Sequence, residues 1–482
     1  MTDLSLRMTD GTHIVVPNKL DAITTYVLLE QESWFEKETA FLARWLKRGM
    51  NTIDIGANLG VYCLPMARLV GPAGQVYAFE PASDTRRYLE ASRKKNRANN
   101  LHIIAAAVSD SDRVGHLVLG ASSELNTLEG DGSGESVRIA SLDQEQKTQN
   151  WGQIDFIKID AEGEEQKILT GGKEFFERQS PLVMFEVKVG DTPNSDLFSD
   201  FISLGYRLYR QLGTASVLVP VDPEASVDSY ELNFFAAKAD RAARLAQDGL
   251  LIEQFPSWTI DDAARKAARS SISAQAFGST FAQLLADDIS LDPEYLDALA
   301  AYSAWRSNER PLPERCAALR KACKILVDLC EREPTLARLS TLARVAHEFG
   351  HRTVSVTALR GLADMLKAGT GRMEEPFWPA NPRFDSIAPA QRVMEWFVVS
   401  ALEQFEQSAS HSSMFGGSGV DLDWLRQQPF VSAEIERRSI LMLALRGQPM
   451  PVPKRLMTSG PDHINSDKWR SGQVPNTINP RR

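Results

Sequence analysis

The stretch TIDIGANLGVY at residues 52–62 decides how the first half of this chain folds. A continuous apolar run ends at Gly56, and apolar residues at helical spacing follow the second glycine, Gly60. A second apolar run, VYAFEP at 76–81, ends on an acid, Glu80. This order predicts a buried strand, a tight glycine turn, a helix and then a second strand.

Short β-rich runs continue to alternate with helix-spaced segments up to about residue 238. Further strands are predicted at LHIIAAAVS (101–109), IDFIKIDAEG (154–163) and PLVMFEV (181–187). Two runs with no helix between them, YRLYRQL (206–212) and ELNFFAAK (231–238), predict an antiparallel pair at the sheet edge. We therefore expect an α/β fold that is Rossmann-like, with a mostly parallel seven-stranded sheet and an antiparallel edge.

Composition and charge limit the class of protein. The 482 residues are 43% hydrophobic and 24% charged, as in an ordinary globular protein. The net charge of −9, without a basic stripe, argues against nucleic acid as the main partner. No apolar run is long enough for a membrane span, and the N-terminus lacks the pattern of a secretory signal. A cytoplasmic protein is the expectation.

Three regions are predicted along the chain. Residues 1–240 form the α/β domain, and residues 241–450 form an all-α region, rich in alanine, leucine and arginine, that could contain helix-hairpin repeats. Residues 451–482 carry six Lys/Arg against two Asp, and they read as a poorly ordered basic tail. The helical region could cover an acceptor pocket, form a homodimer or bind a protein partner, and the sequence does not separate these roles.

The glycine turn lacks the pattern of a dinucleotide site, which needs G-x-G-x-x-G so that the backbone can approach a pyrophosphate. Here Asn58 fills the turn, and Asp54 would repel a pyrophosphate. An acid at that position suits a ligand with positive charge, and S-adenosylmethionine carries a sulfonium and an α-ammonium group. Glu80 could accept hydrogen bonds from ribose hydroxyls, and Ser109, after the third predicted strand, would lie at the edge of the adenine. The alternative to a ligand-binding turn is a tight β–α connection that binds no ligand.

At this point the sequence resembles the FkbM-type family of S-adenosylmethionine-dependent methyltransferases. The residues that carry the resemblance cover roughly 28–238: they are EQESWFEKETAFLARWLKRGMNTIDIGANLGVY (30–62), VYAFEP (76–81), AAAVSD (105–110), DFIKIDAEGEE (155–165) and LNFFAAK (232–238). The resemblance implies a class I methyltransferase fold and transfer of a methyl group, typically to a hydroxyl oxygen of a sugar, polyketide or other secondary metabolite.

The resemblance also assigns roles to the motif residues. It implies that Asp54, Gly56, Asn58 and Gly60 hold the methionine end of the cofactor, and that Glu80 binds its ribose. It implies further that the segment around Trp34 lies over the cofactor. On its own, Trp34 is better interpreted as a packing anchor.

The motif IKIDAEGEE supplies the candidate catalytic residues. Alternation along the strand sends Lys158 and Asp160 to one side of the sheet, at the edge where such sheets bind ligands. Methyl transfer to an alcohol needs a base for the hydroxyl proton; Asp160 is our first candidate and Glu162 our second. Lys158 could orient the carboxylate or stabilise a developing alkoxide.

Other interpretations of the same acids stay open. Asp160 and Glu162 could hold a divalent cation, but two carboxylates are too few to predict one. They could also only shape the turn and cap the helix after it. Glu186, at the end of the next strand, is a further acid that we expect to contact the acceptor.

A different motif, His347-Glu348-x-x-His351, has the spacing of a zinc peptidase helix. No third ligand is marked out, and Gly350 fits a helix end, so the structural interpretation is favoured. A nicotinamide dehydrogenase is disfavoured, because this chain lacks the glycine that lets the backbone approach a pyrophosphate. A scaffold that binds the cofactor without turnover is the main alternative to an O-methyltransferase.

Overall fold

A computed structural model describes residues 3–118, 120, 127–129, 134–187, 196–221, 228–286 and 291–478. The chain divides into two compact units, which are described separately. The first unit contains Met1–Gln211, Ser216–Leu251 and Ile440–Arg482, and the second contains Leu212–Ala215 and Ile252–Ser439.

The strands of the described residues all lie in the first unit. In chain order they are β1 (Leu4–Arg7), β2 (His13–Val16), β3 (Thr52–Ile55), β4 (Val76–Phe79), β5 (Leu101–Ile104), β6 (Ala107–Val108), β7 (Arg113–Val118), β8 (Thr127–Glu129), β9 (Glu135–Ala140), β10 (Phe156–Ile159), β11 (Leu182–Glu186), β12 (Arg207–Gln211), β13 (Leu218–Pro220) and β14 (Asn233–Ala237).

The main sheet has the order β13-β12-β14-β11-β10-β3-β4-β5. Strands β5, β4, β3, β10 and β11 are parallel, and β14 is antiparallel to both β11 and β12, so the predicted antiparallel edge is confirmed. The described sheet has eight strands rather than the predicted seven, because Leu218–Pro220 pairs with β12. This edge strand is short and ends at a proline, which gives only a weak strand pattern.

The third predicted strand is interrupted. Only Leu101–Ile104 joins the main sheet, and Ala107–Val108 instead pairs with β9 in a second sheet of order β6-β9-β7-β8. Alanines give little local preference for a continuous strand, so tertiary pairing decides where the run breaks. Ser109 therefore follows a strand of the second sheet and not the third strand of the main one.

Nine helices of the described residues belong to the part of the first unit before residue 252. They are α1 (Ile23–Gln31), α2 (Glu38–Trp45), α3 (Cys63–Val70), α4 (Ser83–Asn96), α5 (Leu142–Gln149), α6 (Glu165–Gly171), α7 (Lys173–Gln179), α8 (Asp196–Ser203) and α9 (Ala239–Gln247). The central strands alternate as expected: Ile53 and Ile55 on β3 and Ile157 and Ile159 on β10 are core residues. Lys158 lies in register with Asp54, so both side chains leave the opposite face.

The second unit is helical, as predicted. Its helices are α10 (Asp262–Ser273), α11 (Pro293–Arg306), α12 (Leu312–Arg332), α13 (Leu336–Phe349), α14 (Arg352–Ala368), α15 (Val393–Ala409) and α16 (Leu422–Leu425), and the helix α17 (Ala433–Leu445) begins in it. Consecutive helices from α10 to α15 pack on one another. None of the helices in the described ranges combines the length and apolar character that a membrane span requires.

The C-terminal segment differs from our expectation of a poorly ordered tail. Its residues belong to the first unit, where α18 (Ser466–Arg470) buries Trp469 completely. Glu32 accepts the backbone N–H groups of Ile464 and Asn465, and Asn465 also bonds the backbone of Arg7 at 2.8 Å in both directions. Burial of the aromatic ring and these hydrogen bonds outweigh the polar, basic composition.

Candidate active site

The glycine turn after β3 needs both of its glycines. Gly56 has φ of 80°, and a Cβ there would lie 1.8 Å from the backbone oxygen of Asp160. Gly60 has φ of 95°, and its Cβ would meet the side chain of Leu89 at 2.6 Å. The missing side chain of Gly56 therefore lets the turn contact the loop that follows β10, and that of Gly60 leaves room for Leu89 of α4. Asn58, the third turn residue that we singled out, adopts the left-handed conformation with φ of 46°.

Asp54 is a buried carboxylate with unused acceptor capacity. Its side chain is 1% exposed, and neither oxygen accepts a well-formed hydrogen bond from the residues that the structure describes. Burial raises the pKa of Asp54 to about 6, partly offset by the charge of Lys158 and by the nearby N–H and thiol of Cys63. A buried acid without partners is costly, so this arrangement suits a cationic ligand group.

Glu80 connects the end of β4 to the glycine turn. One carboxylate oxygen accepts the backbone N–H of Asn58 at 2.9 Å, and the other accepts that of Ala82 at 2.9 Å. Burial raises the pKa of Glu80 to about 7, although both hydrogen bonds act in the opposite direction. Each oxygen keeps a second lone pair, so Glu80 can still accept hydrogen bonds from a ligand hydroxyl.

Lys158 and Asp160 form an ion pair beside the turn. Lys158 Nζ lies 2.7 Å from Asp160 Oδ2 and 4.9 Å from the centroid of the Tyr62 ring. The Lys158 side chain is 4% exposed and that of Asp160 is 30% exposed. Burial alone would lower the pKa of Lys158, but the charges of Asp160, Asp54 and Glu36 raise it above its ordinary value. A charged lysine is thus fixed against the more accessible carboxylate.

Two further acids lie beside Asp160. One carboxylate oxygen from each of Asp160, Glu162 and Glu186 lies within 4.8 Å of the other two. Glu186 is at the end of β11, next to β10 in the sheet. Burial, and then the charge of Asp160, raise the pKa of Glu186 to about 9. The structure thus brings both candidate bases and the predicted acceptor-contacting acid into one cluster.

The helix after this cluster is held by a different residue. Glu165 Oε1 accepts the backbone N–H of Ala161 at 3.1 Å and of Gly163 at 3.2 Å. Helix α6 begins at Glu165 itself. The hydrogen bonds that shape the turn before α6 thus come from Glu165. They do not require the carboxylates of Asp160 and Glu162.

The sequence did not single out Glu36 as a site residue. It accepts hydrogen bonds from the indole N–H of Trp34 at 2.8 Å, from the Tyr62 hydroxyl and from the Asn233 amide at 2.8 Å. The indole bond lies within the segment before α2, whereas the bonds from Tyr62 and Asn233 connect that segment to the glycine turn and to β14. Glu36 and Asn233 are 197 residues apart, and no local spacing could have paired them.

The Ser109 side chain contacts Glu164, the residue that precedes helix α6. Its hydroxyl is buried and donates to Glu164 Oε2 at 2.6 Å, while Lys167 contacts the other oxygen of Glu164 at 2.6 Å. In this arrangement the Ser109 hydroxyl proton is already used. A role of Ser109 at the adenine edge stays a prediction.

The His-Glu-x-x-His motif does not form a peptidase helix. Helix α13 ends at Phe349, and Gly350 turns the chain with φ of 88° before His351. The Glu348 carboxylate accepts the Tyr302 hydroxyl at 2.9 Å and the Trp305 indole N–H at 2.6 Å, and it also pairs with Arg344. These donors lower the pKa of Glu348 even though it is buried. Glu348 is therefore engaged in an ion pair and hydrogen bonds within the second unit.

The sheet order places the buried acid of the glycine turn at the carboxyl ends of the central strands, where α/β sheets of this kind commonly bind their ligands. Residues 54–208 match a family model described as the methyltransferase FkbM domain. This match, which spans about a third of the chain, confirms the resemblance to FkbM-type methyltransferases that the motifs predicted.

Solved structures include distant likenesses. A methyltransferase FkbM from Methylobacillus flagellatus KT is 15% identical, with a TM-score of 0.29; the match covers 39% of this chain and 43% of that one. A fibrillarin from Aeropyrum pernix with bound S-adenosyl-L-methionine is 12% identical over 49% of this chain and 82% of that one, with a TM-score of 0.26. A Thermotoga maritima O-methyltransferase is 15% identical over 49% and 77%, with a TM-score of 0.25. No curated protein matches the chain.

Proposed function

We propose that this protein transfers a methyl group from S-adenosylmethionine to a hydroxyl oxygen of a carbohydrate or secondary-metabolite acceptor. The observation that carries the proposal is the pairing of two differently placed acids on neighbouring strands. Asp54 is buried and unpartnered among the described residues, whereas Asp160 is accessible and held by Lys158. The first suits a cationic cofactor, and the second suits proton removal from an acceptor.

The residues at the turn fit S-adenosylmethionine. The two orphaned oxygens of Asp54 can accept hydrogen bonds from an ammonium group and attract a sulfonium. Glu80 can bind the ribose hydroxyls through its remaining lone pairs. The turn formed by Gly56, Asn58 and Gly60 brings backbone close to these two acids. A pyrophosphate would meet two carboxylates here, which disfavours a dinucleotide.

The acceptor side depends on Asp160. In the proposed reaction the acceptor hydroxyl loses its proton to Asp160 as its oxygen bonds the methyl carbon, and the bond from that carbon to sulfur breaks with its electron pair staying on sulfur. Lys158 fixes the carboxylate through the 2.7 Å contact and lies close enough to oppose negative charge on the acceptor oxygen. Glu162 is the second candidate base. The acceptor is proposed to be a small molecule or glycan.

The first test is a calorimetric titration of S-adenosylmethionine, and separately of NAD, into wild type and Asp54→Asn. We expect wild type to bind S-adenosylmethionine and the variant to bind it about 10-fold to 100-fold more weakly, because a charge-assisted contact is lost. Removing an unpartnered buried acid should not lower Tm, so thermal melting provides the control for folding. Binding of NAD, or equal affinity in the variant, would contradict the proposal.

Binding of S-adenosylmethionine should also depend on pH. Asp54 has a pKa of about 6 in the free protein, and a bound cation lowers that value. Affinity should therefore rise from pH 5 to 7, with release of up to about half a proton at pH 6. Calorimetry in buffers of different ionisation enthalpy measures the released protons. Methylthioadenosine lacks both positive groups but keeps the ribose that Glu80 is proposed to bind, so it should release fewer protons than S-adenosylmethionine. Equal release by both ligands would exclude this role of Asp54.

A further inference from the structure

A cavity of about 270 Å³ lies at the end of the main sheet opposite to the glycine turn. Two of the residues that line it, Asp155 and Ser180, precede the parallel strands β10 and β11. Lys158 and Asp160 belong to the other end of β10, and at the usual rise of a strand Asp155 and Asp160 are roughly 16 Å apart. The cavity is therefore separate from the candidate active site.

Three arginines line this cavity, and the most buried of them is fixed by the protein. The side chain of Arg241 is 7% exposed; its Nε donates to the backbone oxygen of Ser180 at 3.2 Å, and its Nη1 donates to Asp155 Oδ1 at 3.2 Å. Its Nη2 donates to none of the residues that the structure describes. The other two arginines, Arg178 and Arg244, are exposed. The buried guanidinium is thus held in place with part of its donor capacity unused.

A buried amide adds to these donors. Gln179 also lines the cavity and is 8% exposed. Its Oε1 accepts the backbone N–H of Ile154 at 3.0 Å, whereas its Nε2 donates to no described residue. The buried wall of the cavity therefore offers N–H groups that still need an acceptor.

The two carboxylates of the cavity already accept hydrogen bonds from the protein. Asp155 Oδ2 accepts the backbone N–H of Asn51 at 3.2 Å, and its Oδ1 accepts Arg241. Asp240 Oδ1 accepts the Ser180 hydroxyl at 2.7 Å. These acids hold the walls of the cavity together, and of the three guanidinium groups they pair directly with that of Arg241.

The remaining positive charge lacks close compensation. Arg241 and Arg244 are three residues apart on α9, so both lie on one face of the helix, 5.8 Å and 5.9 Å from the centroid of the buried Trp45 ring. Arg244 has no carboxylate partner among the described residues, and Arg178 has Glu174 at 3.8 Å. Like charges on one helix face repel each other, and an anion bound among them would reduce that repulsion.

We propose that this cavity, the arginine pocket, binds a small phosphate-bearing anion as a ligand additional to cofactor and acceptor. Guanidinium groups bind phosphate oxygens through charge-assisted hydrogen bonds in a fixed fork geometry, which the anchored Arg241 presents. The volume is below the roughly 300–1,000 Å³ of sites for drug-sized ligands, so a phosphate with a short organic part suits it better than a nucleotide. The inference does not depend on methyl transfer.

Calorimetry of the full chain with inorganic phosphate, and separately with glycerol 3-phosphate, tests the arginine pocket. Wild type should bind at least one of the two with a Kd of about 1 mM or tighter. Arg244→Ala and Arg178→Ala should each weaken that binding about 10-fold or more, because a charge-assisted contact is lost. Both side chains are exposed, so neither change should lower Tm. Tighter binding of glycerol 3-phosphate would identify an organic phosphate as the ligand, and equal binding would identify the free ion.

Two further variants serve as matched controls. Arg48→Ala removes an exposed arginine of the same unit that does not line the arginine pocket, so it should leave the affinity for phosphate unchanged. Asp240→Asn removes a negative charge from the pocket but keeps an oxygen for the Ser180 hydroxyl. It should bind phosphate about 2-fold to 10-fold more tightly, because a like charge no longer opposes the anion.

Three results would overturn the inference. They are no binding of either phosphate at about 10 mM, equal affinity of wild type and Arg244→Ala, and a loss of affinity in Arg48→Ala as large as that in Arg244→Ala. These titrations contain neither S-adenosylmethionine nor an acceptor. Failure of the proposed function and failure of this inference can therefore be told apart.

Discussion

Asp160→Asn should lower kcat by about 10²-fold to 10⁴-fold, the usual contribution of a positioned general base. The asparagine keeps the size of the side chain and an oxygen for Lys158, but it cannot take up the acceptor proton. The affinity for S-adenosylmethionine should change much less, because Asp54 and not Asp160 is the unpartnered buried acid at the glycine turn. Steady-state kinetics with an identified acceptor, alongside calorimetry of the cofactor, measures both quantities.

Glu162→Gln is the matched control for this variant. Glu162 lies in the same carboxylate cluster and in the same loop, at a left-handed backbone position with φ of 49°. If Asp160 is the base, the loss of kcat in Glu162→Gln should be far smaller than that in Asp160→Asn. The reverse order would make Glu162 the base. Full turnover in both variants would favour a binding role for the cluster.

Gly56→Ala should destabilise the protein and abolish cofactor binding. The new Cβ would lie 1.8 Å from the backbone oxygen of Asp160, so the turn or the loop after β10 must move. Overpacking of this kind costs about 1–3 kcal/mol, and the left-handed backbone adds about 1–2 kcal/mol. Displacement of Asp160 should also reduce turnover. Thermal melting and calorimetry with S-adenosylmethionine measure the first two effects.

Gly205→Ala is a control that distinguishes the steric clash expected in Gly56→Ala from the cost of a left-handed backbone. Gly205 belongs to the same unit and has nearly the same φ, 82°, but a Cβ there would have no heavy atom within 4 Å. This variant should lose only the smaller, conformational part of the stability and should bind the cofactor normally. If Gly56→Ala and Gly205→Ala had the same Tm and the same affinity for S-adenosylmethionine, the close contact between Gly56 and the backbone of Asp160 would be contradicted.

Patterns within short segments were readable from the sequence. The alternation along β10 predicted that Lys158 leaves one face of the sheet while Ile157 and Ile159 pack on the other, and both isoleucines are core residues. The register of β10 with β3, which places Lys158 opposite Asp54, came only from the structure. The family followed from two motifs, and the model match at residues 54–208 confirms it. The helical character of the second unit was equally visible, because helical periodicity repeats every few residues.

Contacts between distant segments were not readable. The roles of Glu36 and Glu165 were missed, because the sequence gives the identity of an acid but not the donors that surround it. The same limit applies to the C-terminal segment, where Glu32 meets backbone groups 432 and 433 residues away. Composition predicted a loose tail there, but the buried ring of Trp469 and these bonds fix it.

The sequence by itself thus determined the order of strand, glycine turn and acid, since each depends on steric and hydrophobic rules that act over a few residues. Only the tertiary structure decided which acids face one another. It placed Asp54 in a buried setting without partners, and it set Asp160 against Lys158 with an oxygen of Glu186 within 4.8 Å. Burial and neighbouring charge control the protonation of a carboxyl group, and both arise only when the separate strands assemble into the sheet.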